Sequence, residues 1–159
     1  MTRIHNYLIP ALVILLLCSP TYAKSDDDSD FSLRCPAMHM VTVEPDSLSF
    51  QPDMAALAAG WTETKQLTAW VSANVPWKLT IKGSVASWAG PYPKPVSDIY
   101  WSYGPGAYVP LTTSSATVAT GGLANRQPYP INIKVKMDLS KDLPGDYQYY
   151  YIVVELSTP

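Results

Sequence analysis

The stretch Lys65-Gln-Leu-Thr-Ala-Trp-Val-Ser-Ala-Asn-Val-Pro-Trp-Lys-Leu-Thr-Ile-Lys-Gly83 decides the fold class of this chain. Apolar and polar residues alternate on both sides of a central turn signal, and a period of two is typical of β-strands. The rows predicted to face inward are Leu67, Ala69, Val71 and Ala73, then Trp77, Leu79 and Ile81. Asn74 and Pro76 mark the reversal, because Asn tolerates left-handed backbone and Pro fixes φ near a turn value. The stretch is therefore predicted to form a β-hairpin at the centre of the core.

The same alternation recurs along most of the remaining chain. Further strands are predicted over residues 31–43 (interrupted at Pro36), 47–50, 98–103, 107–111, 115–120, 131–139 and 148–156. In the segment 131–139, the odd-numbered residues up to Leu139 are predicted to point inward. Residues 51–60 alone have helical composition, with Asp53 near the start and Gly60 as terminator. The alternative is an irregular crossover, since isolated helices this short are marginal.

The connecting segments complete this prediction. A proline-rich extended loop is predicted over residues 84–96, and turns with a linker over 121–130. Many short strands joined by turns, with no helices alternating between them, favour one fold class. The sequence predicts an all-β protein, an antiparallel sandwich of about seven strands with at most one short helix.

Composition limits the number of domains and the kinds of partner. The chain has 159 residues, 15 of them proline, and residues 31–159 are predicted to form a single β-sandwich domain. The formal net charge of −2 becomes about −3 if Arg3 is removed with a leader, and no cluster of Lys and Arg follows. Since backbone binding needs a basic stripe, nucleic acid is not expected as a partner.

The N-terminus has the layout of a secretory signal peptide over residues 1–23. Arg3 precedes an apolar run over residues 8–17. Thr21 and Ala23 are small residues at the positions that a signal peptidase recognises. The run is short for a membrane span, so cleavage after Ala23 is predicted, with no span afterwards. An uncleaved anchor and lipidation at Cys18 remain the alternatives. The protein is thus expected to be exported, to the periplasm, the cell surface or the medium.

Residues 24–30 form an acidic run that is expected to be flexible. The run lacks the glycine and the distal glutamate of an EF-hand loop, so calcium binding is not favoured. Cleavage would leave Cys35 as the one cysteine, and burial is the commonest state of a free cysteine. His39 is expected to be a half-buried strand residue, because a metal site needs further ligands that the sequence does not supply.

Two segments carry a resemblance to a known group of proteins. Ser72-Ala-Asn-Val-Pro-Trp77 and Leu143-Pro-Gly-Asp-Tyr147 resemble segments of exported bacterial immunoglobulin-like β-sandwich domains, as in fimbrial, spore-coat-U-like and other cell-surface proteins. The second segment also looks like a tyrosine corner, in which a Tyr hydroxyl bonds back to upstream backbone. The resemblance implies an immunoglobulin-like sandwich and an exported location.

The residues needed for catalysis are sparse. No Cys-x-x-Cys, His-Glu-x-x-His or glycine-rich phosphate loop is present, and His39 has no evident partner for a catalytic triad. Glu63, Asp98 and Glu155 are the carboxylates considered for glycoside hydrolysis, but nothing in the sequence brings them together. The sequence therefore predicts no enzyme activity, no cofactor and no metal.

Two hypotheses about function follow, both without catalysis. In the first, the protein is a structural or interaction domain, for example a fibre subunit that adds a strand to a neighbour. The possible donor strand holds Phe31, Leu33, Val41 and Val43, and the alternative is that this segment pairs with its own sheet. Partners would be other exported proteins or further copies of this chain.

The second hypothesis is a carbohydrate-binding module with an aromatic platform, since aromatic rings give large contact area at low entropic cost. The possible ligand or partner surface consists of Trp88, Tyr92, Tyr100, Trp101, Tyr103 and Tyr108. The alternative is that these rings, and those of the consecutive tyrosines 149–151, mainly fill the core and the sheet faces.

Overall fold

The computed structural model describes residues 33–149 and 151–159. The predicted signal peptide (1–23), the acidic segment (24–30), Phe31 and Tyr150 lie outside the described residues. One compact unit comprises Pro36–Pro159 and holds both sheets. Its strands are β1 (His39–Glu44), β2 (Lys65–Ala73), β3 (Trp77–Gly83), β4 (Ile99–Tyr103), β5 (Val109–Pro110), β6 (Ala116–Gly121), β7 (Ala124–Val135) and β8 (Ile152–Ser157). The helix α1 spans Met54–Ala59, and a 3₁₀ turn spans Val96–Asp98.

The strands form two antiparallel sheets, as the sequence predicts for an all-β sandwich. One sheet has five strands in the order β1-β2-β7-β4-β5, and the other has three in the order β6-β3-β8. The ladders between named strands are all antiparallel within the described residues. Residues Leu67, Val71, Leu79, Ile81 and Ile131 are buried between the sheets, with at most 5% of their surface exposed.

The predicted β-hairpin is wrong, although both of its strands exist. β2 pairs with β1 and β7, whereas β3 pairs with β6 and β8, so the turn at 74–76 carries the chain from one sheet to the other. Both predicted inward rows are buried. An alternating pattern determines which face of a strand is buried, but it does not determine which strand lies beside it.

The helix is confirmed and the predicted strand before it is not. Asp53 caps α1 by accepting a hydrogen bond from the Ala56 amide at 2.7 Å, and Gly60 ends it with φ of 75°. Residues 47–50 are not a strand. Leu48 and Phe50 instead pack half-buried against the core from an irregular segment, which explains why they alternate with polar residues.

The predicted linker over residues 121–130 is also wrong, because β7 begins at Ala124 and its ladder with β2 extends through Pro128 and Pro130. On the β2 side, the Thr62 amide donates to the Val135 carbonyl at 2.9 Å, and the Val135 amide donates to Thr62 Oγ1 at 2.9 Å. The amide and carbonyl groups of odd-numbered β7 residues therefore point towards β2. Proline lacks an amide hydrogen, and both prolines direct that missing donor away from β2. The ladder of β4 with β7 ends at the pair Tyr103–Ile131. Both prolines lie beyond that end, so no hydrogen bond of this ladder is lost.

The C-terminal third differs from prediction at its strand ends. β7 ends at Val135, and Leu139, predicted to point inward, is 65% exposed. β8 begins at Ile152 rather than Gln148. The predicted tyrosine corner hydrogen bond is present, since the Tyr147 hydroxyl donates to the Leu143 carbonyl at 2.9 Å.

Candidate functional site

The most distinctive feature of the described residues is a pair of sheet edges on one side of the sandwich. Among them, β1 pairs only with β2, and β8 pairs only with β3. β1 and β8 belong to different sheets, yet they approach each other across the sandwich. An unpaired strand edge offers a row of amide and carbonyl groups to another extended chain.

The inward side chains of β8 are covered less completely than those of its neighbour β3. Val154 lies opposite Ile81, and Leu156 lies opposite Leu79. Ile81 and Leu79 have 0% exposure, whereas Val154 and Leu156 are only half-buried, and so is Ile152. The core is therefore incompletely covered along the β8 edge.

The inward side chains of β1, the other edge strand of the pair, are also incompletely covered. Val41 and Val43 of β1 pack against the core and remain half-buried. They lie opposite Val71 and Ala69 of β2, both of which have 0% exposure. Half-buried apolar side chains thus lie on both edge strands, β1 and β8.

The predicted donor segment is divided by the structure. Val41 and Val43 belong to β1 and pair with their own chain, so the strand begins at His39 rather than at Phe31. Leu33 is 75% exposed. Phe31 lies outside the described residues, so its role as part of a donor strand stays a prediction.

Asn74 holds the residues just before β1 against the turn that follows β2. Its side-chain Oδ1 accepts from the Met38 amide at 2.6 Å, and its Nδ2 donates to the Pro36 carbonyl at 2.7 Å. The Asn74 amide also donates to the Met38 carbonyl at 3.1 Å. The sequence predicts Asn74 only as a turn residue, and no local pattern indicates this contact with residues far away in the chain.

Two expectations about single residues are wrong. Cys35 is exposed, although burial is the usual fate of a free thiol. His39 is exposed as well, because the first residues of β1 extend past the well-covered part of the core.

The six aromatic residues predicted as one surface lie in separate places. Trp101 is only 6% exposed and belongs to the core, since it faces inward on β4, so it is removed from the proposed platform. Tyr103 is 39% exposed, and its ring centroid lies 5.9 Å from that of Tyr129. Burial, followed by the neighbouring Tyr103, raises the pKa of Tyr129.

The proline-rich loop holds Trp88 and Tyr92. Trp88 is half-buried and packs against Tyr149, with ring centroids 5.4 Å apart. The Tyr149 hydroxyl donates to the Val85 carbonyl at 2.6 Å and so holds the loop against the segment that leads to β8. These rings act mainly as packing.

Tyr100 and Tyr108 form a third group with two residues that the sequence does not single out. Lys134 lies 4.0 Å from the Trp61 ring centroid and 4.2 Å from that of Tyr108. Trp61 meets Tyr100 edge to face at 4.9 Å. A lysine already enclosed by two rings stabilises this surface through cation–π contacts.

A buried ion cluster joins the proline-rich loop to the segment before β8. The Lys94 ammonium lies 2.7 Å from Asp142 Oδ2 and 3.3 Å from Asp98 Oδ2. Lys94 is 3% exposed and the Asp142 side chain 4%. Nearby, hydrogen bonds from the Ser140 hydroxyl and amide lower the pKa of Asp138 to about 2. The cluster fixes the loop to the segment before β8.

The carboxylates considered for glycoside hydrolysis are each paired with a different lysine. Glu63 contacts Lys65 at 3.1 Å, and Glu155 contacts Lys82 at 2.9 Å, while Asp98 belongs to the Lys94 cluster. Residues 33–149 and 151–159 contain no group of three or more His, Cys, Asp or Glu arranged to hold a metal ion. No helix within these ranges is long and apolar enough to cross a membrane.

No protein-family model matches the chain, and no curated protein matches it.

Proposed function

We propose that this protein is an exported, non-enzymatic interaction domain whose copies assemble by strand addition. In this assembly, the β8 edge of one copy accepts an extended segment from residues 24–35 of the next. The half-buried apolar row of β8 at an unpaired edge is the observation that carries the proposal. A donated strand would both pair with the β8 backbone and cover Ile152, Val154 and Leu156.

The strand order supports placing this sandwich in the immunoglobulin-like class. In that class one sheet has the order ABED and the other the order CFG, with a tyrosine corner near the start of strand F. The order β1-β2-β7-β4 corresponds to ABED, and β3-β8 corresponds to CF. Tyr147 precedes β8, as expected for strand F. Within the described residues no strand corresponds to G, and its place is the β8 edge.

The sequence of residues 24–35, the N-terminal arm, suits the role of donor. Phe31, Leu33 and Cys35 share one parity, so an extended arm would present them on one face. Fully extended, residues 24–35 would span about 40 Å, whereas the six residues of β8 span about 20 Å. One arm and one acceptor edge per copy make a head-to-tail contact, which produces an open fibre unless the rotation closes.

Deleting residues 24–35 tests the proposal, because β1 and the Asn74 contacts are retained. Light scattering of the purified mature protein should show loss of assembly, while the circular dichroism melt should still report a folded domain. A matched pair of arm variants sharpens the result. Phe31→Asp combined with Leu33→Asp should abolish assembly, whereas Ser32→Asp, on the opposite parity, should not.

Native Cys35 provides a direct test of where the arm binds. Val154→Cys should produce a disulfide-linked ladder on a non-reducing gel, because each copy then has a thiol on its arm and one at its acceptor edge. Thr117→Cys, on the β6 edge, is the matched control and should give no ladder beyond dimers. If the protein lacking 24–35 forms the same oligomers as the full mature chain, strand addition by this arm is excluded.

A further inference from the structure

A shallow cavity of about 280 Å³ lies on the outer face of the five-stranded sheet, opposite the core. It is lined by Met40 and Thr42 of β1, Trp70 and Ser72 of β2, and Arg126 of β7. Its floor is continuous sheet, because Thr42 pairs with Trp70 and Met40 pairs with Ser72. The cavity therefore offers side chains, rather than unpaired backbone, to a ligand.

Arg126 occupies this cavity through an unusual backbone conformation. Its φ is 47°, a left-handed value that favours Gly or Asn and costs an arginine about 1 kcal/mol or more. The cause is a bulge: Val71 lies opposite Gln127 and Ala73 opposite Ala124, so Ser72 faces two residues of β7. The Arg126 amide donates to Ser72 Oγ at 3.1 Å. Bulges commonly redirect a side chain next to a functional site.

The redirected side chain lies over an indole that is itself held in place. The Arg126 guanidinium is 5.1 Å from the centroid of the Trp70 ring. Trp70 Nε1 donates to Glu44 Oε2 at 3.1 Å, which fixes the plane of the ring. Among the described residues no carboxylate is within ion-pair distance of Arg126. The N–H groups of the guanidinium can thus donate hydrogen bonds to an anionic group of a ligand.

We propose that this cavity binds a uronic acid residue of an acidic polysaccharide. Arg126 would bind the sugar carboxylate through paired charge-assisted hydrogen bonds. Met40, which is 61% exposed, would pack against the apolar face of the pyranose ring, and the hydroxyls of Thr42 and Ser72 would bond sugar hydroxyls. Glu44 beside the ring disfavours multiply charged groups such as phosphate, and it can accept a hydrogen bond from a sugar hydroxyl.

Affinity electrophoresis of the full mature chain in gels containing polygalacturonate tests this site. Polygalacturonate should retard the protein, and fully methyl-esterified polygalacturonate should not, since the ester removes the charge and keeps the sugar. Arg126→Gly should weaken binding by about tenfold or more. The same variant should leave the urea unfolding midpoint unchanged or higher, because glycine adopts this φ without strain.

Lys134→Gln is the matched control, because it removes a cation from the same sheet face away from the cavity and should leave retardation unchanged. Arg126→Gly should also assemble like the original chain, so its effect is independent of strand addition. Three results overturn the proposal: no retardation by polygalacturonate, equal retardation by the methyl ester, or full retardation of Arg126→Gly. Tighter binding of poly-glutamate than of polygalacturonate would assign the cavity to acidic peptides instead.

Discussion

Replacing Lys94 with methionine should destabilise the sandwich more than any change to a surface ion pair. The Lys94 ammonium donates to both oxygens of Asp142, at 2.7 and 2.8 Å, and also contacts Asp98. Lys94→Met leaves the Asp142 carboxylate, with 4% of its side chain exposed, without the ammonium that contacts it. Breaking a buried pair in this way costs about 3–5 kcal/mol in the free energy of unfolding.

Urea unfolding of four proteins measures this cost and its origin: the original chain, Lys94→Met, Asp142→Leu and the double variant. Because an apolar pair often replaces a buried ion pair at little cost, the double variant should be more stable than Lys94→Met. The coupling free energy between the two positions should be about 2–3 kcal/mol. Equal slopes of free energy against urea would show that the unfolded states are comparable.

The pair between Lys82 and Glu155 is the control, because it has similar contacts on the surface of β3 and β8. Its nitrogen–oxygen distance is 2.9 Å, and its side chains are 31% and 49% exposed. Lys82→Met should cost no more than about 1 kcal/mol. If Lys94→Met costs as little as Lys82→Met, or if the losses at 94 and 142 simply add, the cluster does not stabilise the loop.

Three further changes test the packing and electrostatics of the fold. Burial raises the pKa of Tyr129, so its neutral form stabilises the fold below about pH 10, and this contribution is lost as pH rises through the raised pKa; Tyr129→Phe should reduce the alkaline loss in a pH series of urea midpoints. Gly121→Ala would place a Cβ 2.5 Å from the Trp77 ring and should cost about 1–3 kcal/mol by thermal unfolding, whereas Gly122→Ala, with nothing within 4 Å, should cost much less. Asp53→Ala should cost about 1 kcal/mol through loss of the helix cap, and Asp53→Asn should restore most of it in the same assay.

Much of the core could be predicted from period-two alternation, and the pairing of strands could not. Val71 and Leu79 are buried as expected, because each lies on the apolar parity of its strand. Their strands nevertheless belong to different sheets, since turn residues such as Asn74 serve a hairpin and a crossing between sheets equally well. Pro128 predicts a linker because proline is rare inside a ladder. The strand β7 accommodates it because the ladder with β4 ends before this residue.

The candidate sites were harder to anticipate because both depend on partners distant in sequence. The β8 edge is open because, among the described strands, only β3 pairs with it. The alternation of residues within one strand does not indicate which strands lie beside it. Trp70 and Arg126 meet only through the ladder of β2 with β7, in a segment predicted to be a linker. The shared parity of Phe31 and Leu33, by contrast, is visible in the sequence alone.

The crossing of the chain between sheets after β2 has a consequence for folding kinetics. Ala69 pairs with Tyr129 and Leu79 pairs with Leu156, so β2 and β3 each acquire one of their two neighbouring strands only when the last part of the chain is available. Contacts of such large sequence separation make folding slow, because the loops must close before the contacts compensate. The core therefore cannot be completed before β8 has been synthesised, and until then Leu79 and Ile81 lack the cover that this strand provides.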